Sequence, residues 1–469
     1  MSEKQSIQTL PEVITKRNKS VNLSVILEYD TLDALDEKNE TAEDDRTVWL
    51  CPETQFVRIA QPYNIGTPAT KWFYGRQDIL ESMADNLHTG TEHDISTIVY
   101  GMKRAGKTSL IRRFIKDTIK QRGYNKTHLP VYTDLLKDYR TKKIENNGDF
   151  LFLLLDIIAQ ALNEHGQKSD FSREILSFRE EFSQNPFETF SMLLEEVIEA
   201  IKPRKLLLVL DEFSTLHDCF SRNILTEEMF GFLSNTIQST YQLSFIFTGT
   251  YVLLEMMREH AFDLAKICNP LMVSFLDDIS ARKLVVEPVK RDDTNPRRGW
   301  LEYNDQVVDR IVAVTNCHPY LIQYLCMQLV DKMNLQKHNT ANLNNINEVV
   351  DEVVSKPSHS MPMLALWNEF DEPEHQVLAA IAAKINLARN RESLCENDGG
   401  TSVAEIASIF KEFGRNKRLE EVVIICSKLV DAEILERSTS EETEFYRITI
   451  PLYQMWLKRN KSLTAVFSK

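Results

Sequence analysis

Short apolar runs alternate with amphipathic stretches over residues 61–275, the pattern of a sheet whose strands are joined by helices. Residues 98–100, Ile-Val-Tyr, form the first apolar, β-favouring run. Leu110, Ile111, Phe114, Ile115 and Ile119 then recur at helical spacing, with Arg112, Arg113 and Lys116 on the other side. A second strand is predicted over 130–134, helices near 149–163, 173–182 and 186–201, and a third strand over 205–210. The apolar positions 206–210 of that strand are consecutive, which suits burial on both faces. A fourth strand, 243–247, leads into Thr248-Gly249-Thr250. These elements predict an α/β fold with a mostly parallel sheet.

After residue 275 the period becomes helical. Helices fit 305–314 and 318–333, the second carrying Tyr320, Leu321, Tyr324, Leu325 and Leu329 on one face. The Asn-rich stretch 339–347 is expected to cap the next helix. The last hundred or so residues follow a winged-helix order: helices at 374–385, 402–410 and 419–429, then a ribbon at 434–437 and 445–450. The chain therefore divides into a partly disordered extension (1–60), an α/β core (61–275), an all-α unit (276–357) and a winged-helix unit (358–469). Within the extension, 21–27 suits a strand and 30–45 is an acidic linker.

Between the first strand and its helix stands Gly101-Met-Lys-Arg-Ala-Gly106-Lys107-Thr108, the pattern Gly-x-x-x-x-Gly-Lys-Thr in a strand–turn–helix setting. A polyphosphate is best held by many short bonds from fixed donors. Glycines let the backbone N–H groups around Gly101, Arg104, Ala105, Gly106 and Ser109 curl toward it, and the helix N-terminus adds its partial positive charge. Lys107 is placed to reach the β- and γ-phosphates, and the Thr108 hydroxyl to ligate Mg²⁺. Asp211 and Glu212 end the third strand, where ligands collect in open α/β sheets. Asp211 is the expected second Mg²⁺ ligand, at a strand end neighbouring that of the glycine turn. Glu212 is the expected base or orienter of an attacking water. Thr250, a hydroxyl at a strand tip, is a candidate γ-phosphate sensor; a plain turn of small residues accounts for it equally well. The chain has no Asn-Lys-x-Asp after the core, which favours ATP over GTP.

Composition narrows the partners. A net charge of −14 argues against a protein whose main surface coats nucleic acid or anionic membrane. The Cys count of 7 is odd and contains no C-x-x-C, which fits reduced thiols in the cytoplasm. The most apolar helix, near 150–162, is too short to span a bilayer.

Several stretches resemble the STAND group within the AAA+ and ORC-like P-loop ATPases of archaea and bacteria. They are Phe73-Tyr74-Gly75-Arg76, the glycine turn, 207–212 with its Asp-Glu pair, the strand ending at Thr250, and Asn316-Cys317-His318-Pro319-Tyr320-Leu321. The resemblance covers about residues 61–469. It implies that Gly75, Arg76 and Pro319 surround the adenine, with His318 nearby. It also implies that the all-α unit is a lid that closes on nucleotide and reorients the domain behind it. This chain departs from the pattern in two places: Asn316-Cys317 stands where a glycine is usual, and the strand after Asp211-Glu212 lacks the common arginine.

Two functions compete. In the favoured one, a slowly hydrolysing ATP switch gates a protein partner or self-assembly, a role such folds play in bacterial defence and signalling. In the alternative, an ORC-like initiator or loader grips DNA through the winged helix. The helix at 419–429 opens with two glutamates, and only Arg415-Asn416-Lys417-Arg418 is basic, so protein contact is expected over DNA contact.

Overall fold

The computed structural model describes residues 56–468 except 70, 88–92, 138–143, 165–170, 293–298, 385–399 and 441–442. The strand expected over 21–27 and the acidic stretch 30–45 lie outside the described residues.

Five parallel strands form the central sheet: β1 (Ser96–Tyr100), β2 (His128–Asp134), β3 (Lys205–Asp211), β4 (Leu243–Gly249) and β5 (Cys268–Met272). Their order is β2-β3-β4-β1-β5. The apolar run of β3 divides by side-chain alternation: Leu206, Leu208 and Leu210 enter the core on one face, Leu207 and Val209 that on the other. Burying each such side chain contributes roughly 1.5–3 kcal/mol, which is why β3 and β4 occupy central positions. The strand β5 escapes sequence reasoning because Cys-Asn-Pro-Leu-Met has no apolar run. Among the described residues it is an outer strand paired with β1 alone, where Pro270 is tolerated. Pro130 sits in the other outer strand, β2.

Helices Asn147–Glu164 and Pro186–Ile201 cover one face of the sheet. Helices Gln77–Asn86 and Lys107–Arg113 cover the other. The apolar cluster on that second face continues into the rest of the chain, through Ile311, Leu325 and Val353 to Leu452.

Beyond β5 come helices Asp278–Val286, Asp305–Thr315, Pro319–Gln336 and Leu343–Ser355, with the short strands β6 (Glu302–Tyr303) and β7 (Thr340–Ala341). The Asn-rich stretch is a capping device, as expected. Asn342 accepts from the Asn344 and Asn345 N–H groups, and the Asn345 side chain accepts in return from the Asn342 N–H. The backbone N–H and C=O of Ile59 both bond the Asn334 side chain, at 2.9 and 3.0 Å, so chain ahead of residue 61 packs on the helix Pro319–Gln336.

The C-terminal elements are helix Met361–Trp367, helix Glu372–Lys384, β8 (Thr401–Ser402), helices Val403–Glu412 and Leu419–Asp431, strands β9 (Leu435–Ser440) and β10 (Thr443–Ile448), and helices Pro451–Asn460 and Leu463–Phe467. The strand β10 pairs antiparallel with both β8 and β9. Among the described residues no helix is long and apolar enough to cross a membrane.

Candidate functional site

The turn after β1 takes shape from two glycines. Gly101 has φ 152°, and a Cβ there would lie 2.2 Å from the Val273 carbonyl oxygen. Gly106 has φ 99° and begins the helix Lys107–Arg113; a Cβ there would meet the Arg76 guanidinium at 2.7 Å. The first N–H groups of that helix have no partner within it and are free for an anion. Lys107 is 4% exposed, and its ammonium donates to the carbonyls of Gly101 at 3.1 Å and Met102 at 3.0 Å. Burial pulls its pKa down, while Glu212 and Asp211 pull it back up.

The carboxylates stand at the end of β3. Asp211 is 1% exposed. Its Oδ2 accepts from the Tyr132 hydroxyl at 2.8 Å, and its Oδ1 accepts from the Thr248 hydroxyl and from the Glu212 N–H at 3.2 Å. The Glu212 N–H also donates to the Thr248 oxygen at 3.1 Å. The glycine turn and Asp211 are thus not on neighbouring strands, as expected, but flank β4, which brings Thr248 between them. Sequence reasoning missed Thr248 because it ended this strand at 247; continuing β4 to Gly249 buries the hydroxyl beside Asp211. Thr250 precedes the helix Tyr251–His260, and its N–H donates to the Ser214 hydroxyl at 3.3 Å. Replacing Thr248 by valine leaves the buried Asp211 short of a donor. A loss of about 1–3 kcal/mol of stability is expected, read by denaturant unfolding.

A cleft of about 270 Å³ opens over the turn, lined by Gly106, Lys107, Thr108, Ser109 and Glu212 on the phosphate side. Trp72, Phe73, Tyr74, Leu276, Leu284 and Pro319 give it an apolar compartment of the kind a base requires, and Asn64 and Gln323 are polar members of its wall. The stretch 64–69 also lines it, a role the sequence did not reveal, and the Ala69 N–H donates to the Ser109 hydroxyl at 2.9 Å. Arg104 lines the cleft with its guanidinium over the Tyr320 ring at 4.2 Å. Gly75, Gly101, Ala105, Asp211 and Thr250 do not line it.

Arg76 reaches the cleft but mainly braces the turn. Its guanidinium donates to the carbonyls of Ala105 and, at 3.1 Å, Ser274. Burial lowers its pKa to about 10. His318 is 1% exposed, lies 5.8 Å from the Phe275 ring, and does not line the main cleft. Burial lowers its pKa to about 3, so it is neutral. Asn316 and Cys317, where the resemblance led one to expect glycine, both take left-handed φ, 47° and 59°. They thus adopt the backbone that a glycine accepts freely.

Glu212 faces the cleft with φ 57°. Burial raises its pKa, and Lys107 opposes the rise. A buried carboxylate beside a phosphate cradle, with a lysine between them, can polarise or deprotonate a water.

A glycine cradle with a buried lysine, an Asp-Glu strand end and a base-sized apolar compartment define a P-loop ATPase. Residues 73–264 match the family described as an ATPase domain predominantly from Archaea. The fold is similar to that of a Walker-type ATPase of Pyrococcus abyssi, with a TM-score of 0.54 at 15% identity, over 84% of this chain and 99% of that one. It is also similar to the ORC2 protein of Aeropyrum pernix in its ADPNP–ADP complexes, with a TM-score of 0.56 at 12% identity, over 88% and 100%. No curated protein matches the chain.

Proposed function

We propose that this ATPase is a STAND-like switch whose nucleotide state is read out by its C-terminal elements. The observation that carries this reading is that the phosphate turn holds both downstream units directly. Lys103 pairs with Glu369 beyond helix Met361–Trp367, and Arg104 stacks on Tyr320 of helix Pro319–Gln336. Adjacent residues Lys107 and Thr108 are those a triphosphate engages, so filling the cleft and moving the units are mechanically linked. On this reading residues 61–275 are the ATPase core, 276–357 the lid and 358–469 a winged helix. The output is a protein partner or a second copy.

Thr108 and Asp211 would hold Mg²⁺. The fit rests on Asp211 Oδ2, which takes one hydrogen bond and keeps a lone pair, while three donors fix the carboxylate. The ion, when bound, neutralises charge on the β- and γ-phosphates. Lys107 then binds the same oxygens, and Glu212 orients or deprotonates the attacking water. Asp211→Asn should weaken ATP binding in Mg²⁺ about tenfold, some 1.4 kcal/mol, and much less in EDTA. Equal losses in both buffers would remove Asp211 from the metal. The switch itself is tested by capture of a defined partner or a dimer with the Glu212→Gln chain in ATP; an ATP-independent monomer without partner speaks against it.

The alternative, an ORC-like loader on DNA, has a likeness of fold behind it, which spans all of the ORC2 chain. The basic cluster weighs against it, since Arg415 pairs with Glu372 and Arg418 with Glu421. In the hairpin, Arg437 and Arg447 pair with Glu444 and Glu436. A loader binds duplex with a steep log–log salt slope, whereas the switch binds it weakly at physiological salt.

A further inference from the structure

Glu433 lies in the turn between helix Leu419–Asp431 and β9, and no step of ATP binding or hydrolysis uses it. Its carboxylate accepts from the Ser274 hydroxyl. The Ser274 carbonyl accepts from Arg76, which also donates to the Ala105 carbonyl inside the phosphate turn. Ser274 itself joins β5 to helix Asp278–Val286, the passage from sheet to lid. A continuous hydrogen-bonded chain therefore runs from the C-terminal hairpin, through the lid connection, to the turn.

This arrangement is held against local cost. Glu433 has φ 60°, a conformation that disfavours any side chain. Its Oε2 is buried without a hydrogen-bond partner among the described residues, and so is Nε of Arg76. Arg76, Arg104 and Glu212 are left-handed as well, so backbone strain gathers around the turn. The charges explain what is gained in return. Burial raises the Glu433 pKa, and the Ser274 hydroxyl, the Met102 N–H and then the charges of Lys107 and Arg76 oppose that rise. Lys107 and Met102 belong to the phosphate turn, and Arg76 braces it.

We propose that Glu433 is an internal counter-anion of the phosphate turn, displaced when a triphosphate engages Lys107 beside the Arg76 brace, and that this exchange loosens the C-terminal hairpin. The coupling rests on the switch function proposed above. Two anions brought to the same cations in a low-dielectric site repel each other, so each weakens the other's hold. The effect is reciprocal: whatever affinity the nucleotide loses to the docked hairpin, the hairpin loses to the nucleotide.

The test uses the full chain, with Glu433→Gln to remove the charge at constant volume. Ser274→Ala releases the carboxylate without touching it and serves as the second variant should the first fail to fold. Calorimetry with a non-hydrolysed ATP analogue and Mg²⁺ reads affinity, and amide hydrogen exchange over 432–435 reads docking. Glu433→Gln should bind the analogue about fivefold more tightly, and Ser274→Ala should shift in the same direction by less. In the wild-type chain the analogue should speed exchange over 432–435. Equal affinities of wild type and Glu433→Gln overturn the counter-anion, even where exchange still responds to nucleotide, a result that leaves the switch standing. Tighter binding by Glu433→Gln with nucleotide-independent exchange supports the charge competition and overturns the coupling together with the switch.

Discussion

Lys107→Ala is expected to remove ATP binding measurable by calorimetry, a loss of about 3 kcal/mol or roughly a hundredfold. The lysine is already positioned, because the carbonyls of Gly101 and Met102 hold its ammonium at the turn. Little side-chain entropy remains to be lost when phosphates arrive. Removing it does more than delete an attraction. Both carbonyls would lose their donor, and the negative charge of Glu212 and Asp211 near the turn would lose the cation that offsets it. Unchanged affinity in this variant would place the nucleotide somewhere other than the glycine turn.

Glu212→Gln should cut turnover by about 10²–10⁴-fold while ATP still binds, since only proton acceptance and water orientation are lost. Single-turnover phosphate release separates the two effects; equal rates for wild type and variant would leave Glu212 without a catalytic role. The wild-type enzyme should show an acid limb. Burial raises the Glu212 pKa above its ordinary 4.5, and the base works only when deprotonated. Turnover should therefore fall as pH drops through a value above 4.5, and the Glu212→Gln residual rate should lack that limb.

The phosphate turn could be read from sequence because its chemistry dictates residue type and spacing together: two glycines for backbone reach, then a lysine and a hydroxyl. The buried strand β3 was equally readable from its unbroken apolar run. Other parts were hidden for definite reasons. The outer strand β5 needs little apolar surface, so it carries no such run. Thr248 matters through a partner, Asp211, 37 positions away in sequence, and no local pattern announces such a pair. The same holds for Arg76. The resemblance set it beside the adenine and it does line the cleft, but the bonds of its guanidinium to the Ala105 and Ser274 carbonyls have no local sequence signal. The wall contributed by 64–69 was hidden because a proline- and glycine-bearing lead-in looks the same whether or not it borders a cleft.

The two prolines on the margins of the central sheet bear on how copies of this chain can meet. Pro130 and Pro270 each subtract an N–H from an outermost strand, one on either flank. A strand from another molecule would find an interrupted ladder on both sides, so the sheet is a poor template for recruitment. Any ring or filament built from this ATPase should therefore be cemented by side chains, and point substitutions on helical surfaces, rather than strand-mimicking peptides, are the means to dissolve it.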